Sequence, residues 1–235
     1  MKMTILGYLF IGFLLPTSLL ASENAYRQAK QQALVIYQAN PKTFYCERSF
    51  DKAGRLKGVE GEFLKEGAAK IQWEHIMPAK QFGGHLACWQ RTLCRDRHGN
   101  PFKGRKCCQL TNPSFQTMEA DLHNLVPILP KLNHLRSHYA FQEKPSGQQP
   151  MASCPFFVDK KRHTVSVDPK WRGFIARAYL YMHATYGIPL SKEEQVQYER
   201  WHRENPPDAW EIKRHALITS RQKTINPYIA GYLWN

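Results

Sequence analysis

The stretch Trp73-Glu74-His75-Ile76-Met77-Pro78-Ala79 sets a carboxylate directly before an imidazole at the end of an apolar run. A strand is predicted over 69–76. Successive strand residues face opposite sides, so a strand end or a twist is needed to bring both groups to one site. Glutamate offers an oxygen to a hard cation, and histidine takes a proton near neutral pH. The same pair also occurs on surfaces, or as a structural hydrogen-bonding pair. The second informative stretch is Met118-Glu119-Ala120-Asp121-Leu122-His123-Asn124-Leu125-Val126-Pro127. Asn112-Pro113 before it carries the cap and first-turn residues of a helix start. Phe115, Met118, Leu122 and Leu125 then recur at helical spacing, with Asn124 off the stripe. Asp121, His123 and Asn124 are candidate ligands or hydrogen-bonding groups. A backbone cap for Asn124 and a packed core position for His123 are the structural alternatives.

Working outward, 24–39 reads as an amphipathic helix, and 51–67 as a charged, glycine-bearing connection. Pro127 and Pro130 interrupt the second stretch, so a further helix is predicted from Pro130 to about Tyr139. A polar linker, 143–149, leads to a strand-like segment over 154–167. Helices are predicted over 171–186, 192–203 and 208–222. The pattern is a single α+β domain, helix-rich toward its C-terminus.

The 235 residues hold 33 Lys+Arg against 19 Asp+Glu, a formal charge of +14, with 43% hydrophobic and 12% aromatic residues. An acidic disordered chain is excluded, since such chains lack the apolar residues to bury a core. The charge calls for an anionic partner: nucleic acid, an acidic membrane surface or an anionic glycan. Lys2, the apolar run 5–15 and the small residues Ser18, Ala21 and Ser22 read as a secretory signal peptide over 1–21. An uncleaved anchor is the alternative reading. Export makes three disulfides the expectation for Cys46, Cys88, Cys94, Cys107, Cys108 and Cys154. Zinc is the rival, because His98 lies within the 88–108 segment and His85 just before it, but no CxxC spacing is present. That segment also gathers Arg91, Arg95, Arg97, Lys103, Arg105 and Lys106 as a basic excursion able to follow a nucleic-acid backbone. The C-terminal arginines and lysines read mainly as solvated helix faces.

Taken together, the chain resembles the periplasmic endonuclease I family of bacteria, non-specific nucleases with a ββα-metal (His-Me) finger. The matching residues are Thr43–Cys46, Trp73–Ala79, Cys88–Gln90, Gly104–Lys106, Met118–Leu125, Asn133 with Arg136, Gly173–Arg177, Tyr179–Met182 and Asn226–Tyr228. The resemblance implies one disulfide-stabilised α+β nuclease domain over 22–235 containing that finger. It implies an exported, Mg²⁺-dependent endonuclease, periplasmic or secreted, with Ca²⁺ or Mn²⁺ as substitutes. In this reading His75 is the general base, Glu74 and Asn124 hold the metal, and Arg105 contacts the phosphate. DNA and RNA are held through their phosphates by a monomer free of the membrane, and cleavage leaves a 5′-phosphate. Arg48 stands where relatives carry another cysteine, Cys94 and Cys108 look additional, and Leu93–Phe102 looks inserted. Two other readings stay open: a secreted glycosidase using Glu74 and Asp121, and a non-catalytic basic nucleic-acid-binding protein.

Overall fold

The computed structural model describes residues 18–58, 70–151 and 153–232. Most of the expected leader and part of the 51–67 connection lie outside them. The helix predicted over 24–39 is α1 (Ser18–Tyr37). It buries Ala29, Ala33, Ile36 and Tyr37, one stripe at helical spacing. β1 (Gln72–His75) follows, then two short helices, α2 (Ala79–Gly83) and α3 (Ala87–Gln90). A small hairpin of β2 (Cys94–Arg95) and β3 (Pro101–Phe102) leads into α4 (Arg105–Thr111).

The helix start at Asn112-Pro113 forms as expected: α5 spans Pro113–Glu119, and the Asn112 side chain accepts the Phe115 N–H at 2.8 Å. The helix does not continue to Leu125. Asp121 accepts the His123 N–H at 2.9 Å and caps a single 3-10 turn, Leu122–Asn124. A short carboxylate bonding to backbone nearby is the alternative that competes with a helix. Leu125 instead opens β4 (Leu125–Ile128), which pairs antiparallel with β1, Glu74 opposite Val126 and His75 opposite Leu125. Pro127 is tolerated because this sheet has two strands, and its carbonyl accepts the Phe44 N–H at 2.7 Å.

The helix predicted from Pro130 is α6 (Pro130–Arg136), which stops at Ser137. The segment 154–167 is two strands, not one. β6 (Phe156–Asp159) and β7 (Thr164–Val167) pair antiparallel, and β7 also takes β5 (Ala140–Phe141) in parallel. The last helices follow the predicted bounds closely: α7 (Arg172–Tyr186), α8 (Lys192–Glu204) and α9 (Ala209–Gln222), then a short α10 (Pro227–Ala230). Among the described residues no helix is long and apolar enough to cross a membrane.

α7 is the spine of the core, with every residue from Gly173 to Met182 buried. A Cβ at Gly173 would come 2.0 Å from the Asn205 carbonyl oxygen, so only glycine lets the end of α8 approach. Tyr179 stacks on Tyr198 of α8 at 4.3 Å, and Trp201 is fully buried beside it. Each such side chain contributes roughly 1.5–3 kcal/mol. Two C-terminal arginines expected on solvated faces are buried structural cations. Arg177 pairs with both carboxylate oxygens of Glu211 at 2.7 and 2.6 Å. Arg214 donates to the Leu122 and Leu125 carbonyls at 2.6 and 2.9 Å, tying the turn before β4 to α9.

All six cysteines pair, as Cys46–Cys154, Cys88–Cys108 and Cys94–Cys107. Zinc is thereby removed, since no thiolate is left to bind it. Cys94–Cys107 clamps the basic hairpin to α4, and Cys88–Cys108 clamps α3 to α4.

Candidate active site

β1, α2, α4 and α6 meet at a cleft of about 90 Å³ lined by Trp73, Glu74, His75, Pro78, Ala79, Arg105, Asn133, Arg136 and Ser137. Glu74 and His75 both reach it because they end the strand, where the register with β4 runs out.

Glu74 is 2% exposed. Its Oε1 accepts the Tyr45 hydroxyl at 3.1 Å and lies 3.2 Å from Nε of Arg136. Its Oε2 is buried with no hydrogen-bond partner among the described residues. Burial pushes the carboxyl up to about 7, against the pull of Arg136 and Tyr45. An anionic oxygen buried without a donor is costly unless a cation joins it. Arg136 is itself buried and spans the end of β1, donating to the carbonyls of His75, Ile76 and Ser137.

His75 has its Nε2 2.8 Å from the Glu119 carbonyl oxygen. A carbonyl only accepts, so Nε2 carries the hydrogen and Nδ1 keeps its lone pair. Burial, reinforced by the positive field of Arg105, Arg136 and Lys30, drives the imidazole down to about 3 and keeps it neutral. Tyr26 of α1 stacks on the ring at 5.4 Å and 27°.

Arg105 opens α4 directly after Gly104, whose φ of 89° is a backbone state that favours glycine. Its Nε donates to Glu119 Oε1 at 2.6 Å, and its side chain stays 42% exposed. Glu119 therefore serves twice: its main chain fixes the tautomer of His75, and its carboxylate aims Arg105. Gln109 holds the same carboxylate at 2.8 and 3.0 Å.

The cleft thus gathers Glu74, His75 and Arg105. Asn124 does not reach it. That residue is fully buried, its Oδ1 accepting the Met77 N–H at 2.8 Å and its Nδ2 donating to the Met77 carbonyl at 3.0 Å. The expectation that Asn124 holds a cation does not fit this geometry, because the amide is committed to the backbone just beyond His75. Asn133, on α6 one turn before Arg136, does line the cleft. Its Nδ2 donates to Gln72 Oε1 at 2.9 Å, leaving Oδ1 as the available oxygen. Asp121 is also withdrawn. It accepts from Tyr181, Tyr186, Gln222 and the His123 N–H, so no free carboxylate is left for a glycosidase pair. His123 is a core residue packed between Tyr181 and His215.

Tyr26, Tyr45 and Glu119 carry no sequence expectation of a role. The matching run Thr43–Cys46 is the signal for Tyr45, which sits at φ 65° and turns its hydroxyl to Glu74. Glu119 acts on His75 through its main chain, which leaves no trace in residue type.

Among the described residues no three His, Cys, Asp or Glu side chains cluster as a metal centre. A carboxylate plus an amide oxygen is still the donor set a Mg²⁺ ion accepts, since it keeps several waters. A larger depression of about 430 Å³, lined by Ala25, Pro113, Gln116, Thr117, Ala120, Tyr186, Gln222 and Thr224, holds no acid or base pair.

Known proteins similar to this chain are bacterial nucleases. The chain is 35% identical over 229 residues to a periplasmic deoxyribonuclease of Aeromonas hydrophila, covering 93% of this chain and 91% of that protein. It is 36% identical over 213 residues to an extracellular deoxyribonuclease of the same organism, covering 87% of each. It is 32% identical over 215 residues to endonuclease-1 of Buchnera aphidicola, covering 88% of this chain and 80% of that protein. The Endonuclease I family model matches residues 14–231, and with these relatives it establishes that the chain belongs to the Endonuclease I family.

Proposed function

We propose that this chain is an exported, Mg²⁺-dependent endonuclease that hydrolyses DNA, and RNA as well, with no base selection. The observation carrying the reading is the pairing of Glu74, with one buried unpartnered oxygen, and a neutral His75 with a free Nδ1. Glu74 Oε2 and Asn133 Oδ1 would hold the cation. In this reading β1, β4 and α6 would serve as the two strands and the helix of a ββα-metal finger. When bound, the metal would neutralise charge developing on the phosphoryl and leaving oxygens.

His75 Nδ1 takes a proton from the attacking water. The water oxygen bonds to phosphorus, the P–O3′ bond breaks, and O3′ takes a proton from solvent. The products are a 5′-phosphate and a 3′-hydroxyl. Arg105, aimed by Glu119, donates to the phosphate through its planar fork. Contacts of this kind are to phosphate alone and give affinity without sequence information. The relatives' names, periplasmic and extracellular, support export.

The test is plasmid and RNA degradation in Mg²⁺ and in EDTA, with His75→Ala beside the wild type. The variant is expected to lose about 10²- to 10⁴-fold in rate. Equal rates would sink the base assignment, and undiminished activity in EDTA would sink the metal.

A further inference from the structure

We propose that Lys80, Ser137 and His138 form a second phosphate subsite, taking the phosphodiester next to the scissile one; this rests on the nuclease reading above. A depression of about 260 Å³ is lined by Pro78, Lys80, Gln81 and His138. Pro78 also lines the catalytic cleft, as does Ser137, the chain neighbour of His138, so the two spaces adjoin.

The chain turns sharply where they join. The Tyr139 N–H donates to the Arg136 carbonyl at 3.0 Å, closing a four-residue turn. Ser137 sits in it at φ 52° and ψ −118°. That is the first central position of a type II′ turn, which favours glycine. A serine there costs about 1–3 kcal/mol. What serine supplies over glycine is a hydroxyl at the rim of the cleft.

That hydroxyl belongs to a short chain of contacts. Ser137 Oγ is 3.2 Å from His138 Nδ1, and Lys80 Nζ is 3.2 Å from His138 Nε2. An ammonium only donates, so Nε2 accepts and Nδ1–H points to Ser137. Slight burial, then Lys80, His163 and Arg136, hold this imidazole below its ordinary range, which maintains the neutral form. Lys80 is thereby oriented by a neutral partner. Among the described residues no carboxylate pairs with it, whereas Lys170 and Arg200 are each matched to a glutamate. A cation steadied without being neutralised keeps its whole charge for an incoming anion. Two ammonium N–H groups and the Ser137 hydroxyl hydrogen are the donors on offer, a set suited to non-bridging phosphate oxygens.

The experiment uses a ten-nucleotide single strand, cut by wild type, Lys80→Ala/His138→Ala, Lys80→Arg and Ser137→Gly at several salt concentrations. The double variant is expected to raise KM about five-fold with kcat within two-fold, and to flatten the log–log salt slope by ~0.7, the loss of one cation contact. Lys80→Arg keeps the slope. Ser137→Gly raises the thermal midpoint while it raises KM, a combination a merely structural serine would not give. Unchanged KM and slope in the double variant, or a fall in kcat at constant KM, overturns the subsite. If the wild type cuts nothing in Mg²⁺, the nuclease reading itself fails. Fluorescence anisotropy of the same strand in EDTA then decides the subsite, and equal Kd for wild type and double variant overturns it.

Discussion

Replacing Glu74 by glutamine removes one charge and almost no volume, and it separates what the carboxylate does for the fold from what it does for chemistry. Burial raises the Glu74 carboxyl from an ordinary 4.5 to about 7, even with Arg136 beside it. Because the folded state holds the proton more tightly than the unfolded chain, stability declines as pH rises from about 4.5 to about 7 and stays low above. Keeping the ionised group in the fold at pH 8 therefore costs about 3 kcal/mol relative to water. Glutamine escapes that cost and still offers an oxygen to Tyr45, but Arg136 loses an anionic partner, which offsets part of the gain. The metal-free variant is expected to be within about 1 kcal/mol of wild type at pH 8, or more stable. On the proposed function, Mg²⁺ is expected to act in the opposite sense. At one hundred times its Kd it should stabilise the wild type by about 2.7 kcal/mol, and not the variant. For a chain of this size that is a rise of about 5–11 °C in Tm. Thermal melts in EDTA and in Mg²⁺, with plasmid nicking alongside, measure both sides. A variant destabilised by 3 kcal/mol or more in EDTA, or still raised by Mg²⁺, would refute the reasoning.

Tyr26 stacks on His75 and lies beneath the Arg105 guanidinium at 5.6 Å. Aromatic contacts of this sort contribute about 0.5–1.5 kcal/mol, so Tyr26→Ala should lower kcat up to tenfold with KM little changed, and Tyr26→Phe should retain the rate. Equal kcat for all three proteins in steady-state assays would remove Tyr26 from the site. His123, buried neutral, is lowered by burial to about 4. The unfolded chain takes up its proton first, so about 3 kcal/mol of stability, complete above pH 6.5, should be lost as pH falls toward 4. Urea midpoints across that range should show a shallower acid slope for His123→Gln, and an identical slope would contradict it.

Local chemistry made much of the fold legible. Caps act within three residues of their own position, so Asn112 marks a helix start that forms as its side chain requires, and the structure adds Ser191 and Asp208 as caps of the helices that follow them. The apolar stripe through Leu125 misled because Asp121 offers the backbone a competing turn, and hydrophobic spacing is blind to that choice. Which cysteines join is a matter of the folded path, and spacing does not encode it. The site was half legible. Glu74 and His75 are adjacent in sequence and stay adjacent in space. Asn124 and Asn133 are alike in type and both belong to the matching residues; only the docking of α6 against β1 brings one to the cleft and sends the other to Met77. Arg177 and Arg214 read as surface charges because burial of a cation depends on a partner far along the chain.

Among the buried acids Glu74 stands apart, independently of any motif. Glu211 gives both oxygens to Arg177, and Asp121 receives two phenols, an amide and a backbone N–H. Glu119 is held by Arg105 and Gln109. Glu74 differs, for its Oε2 is the one buried carboxylate oxygen without a hydrogen-bond partner among the described residues. A neutral hydroxyl without a partner, such as that of Tyr37, carries only the modest desolvation penalty of an uncharged group. An anionic oxygen in the same state loses far more, and the fold supplies no donor although arginine is plentiful nearby. Ser137 lies on the rim of the same cleft, in a turn glycine would fill with less strain. On the function proposed above, a chain that satisfies its other buried acids and relaxes its rules at adjoining positions would trade that stability for a cation at Glu74 and a phosphate at Ser137, where hydrolysis of a phosphodiester needs them.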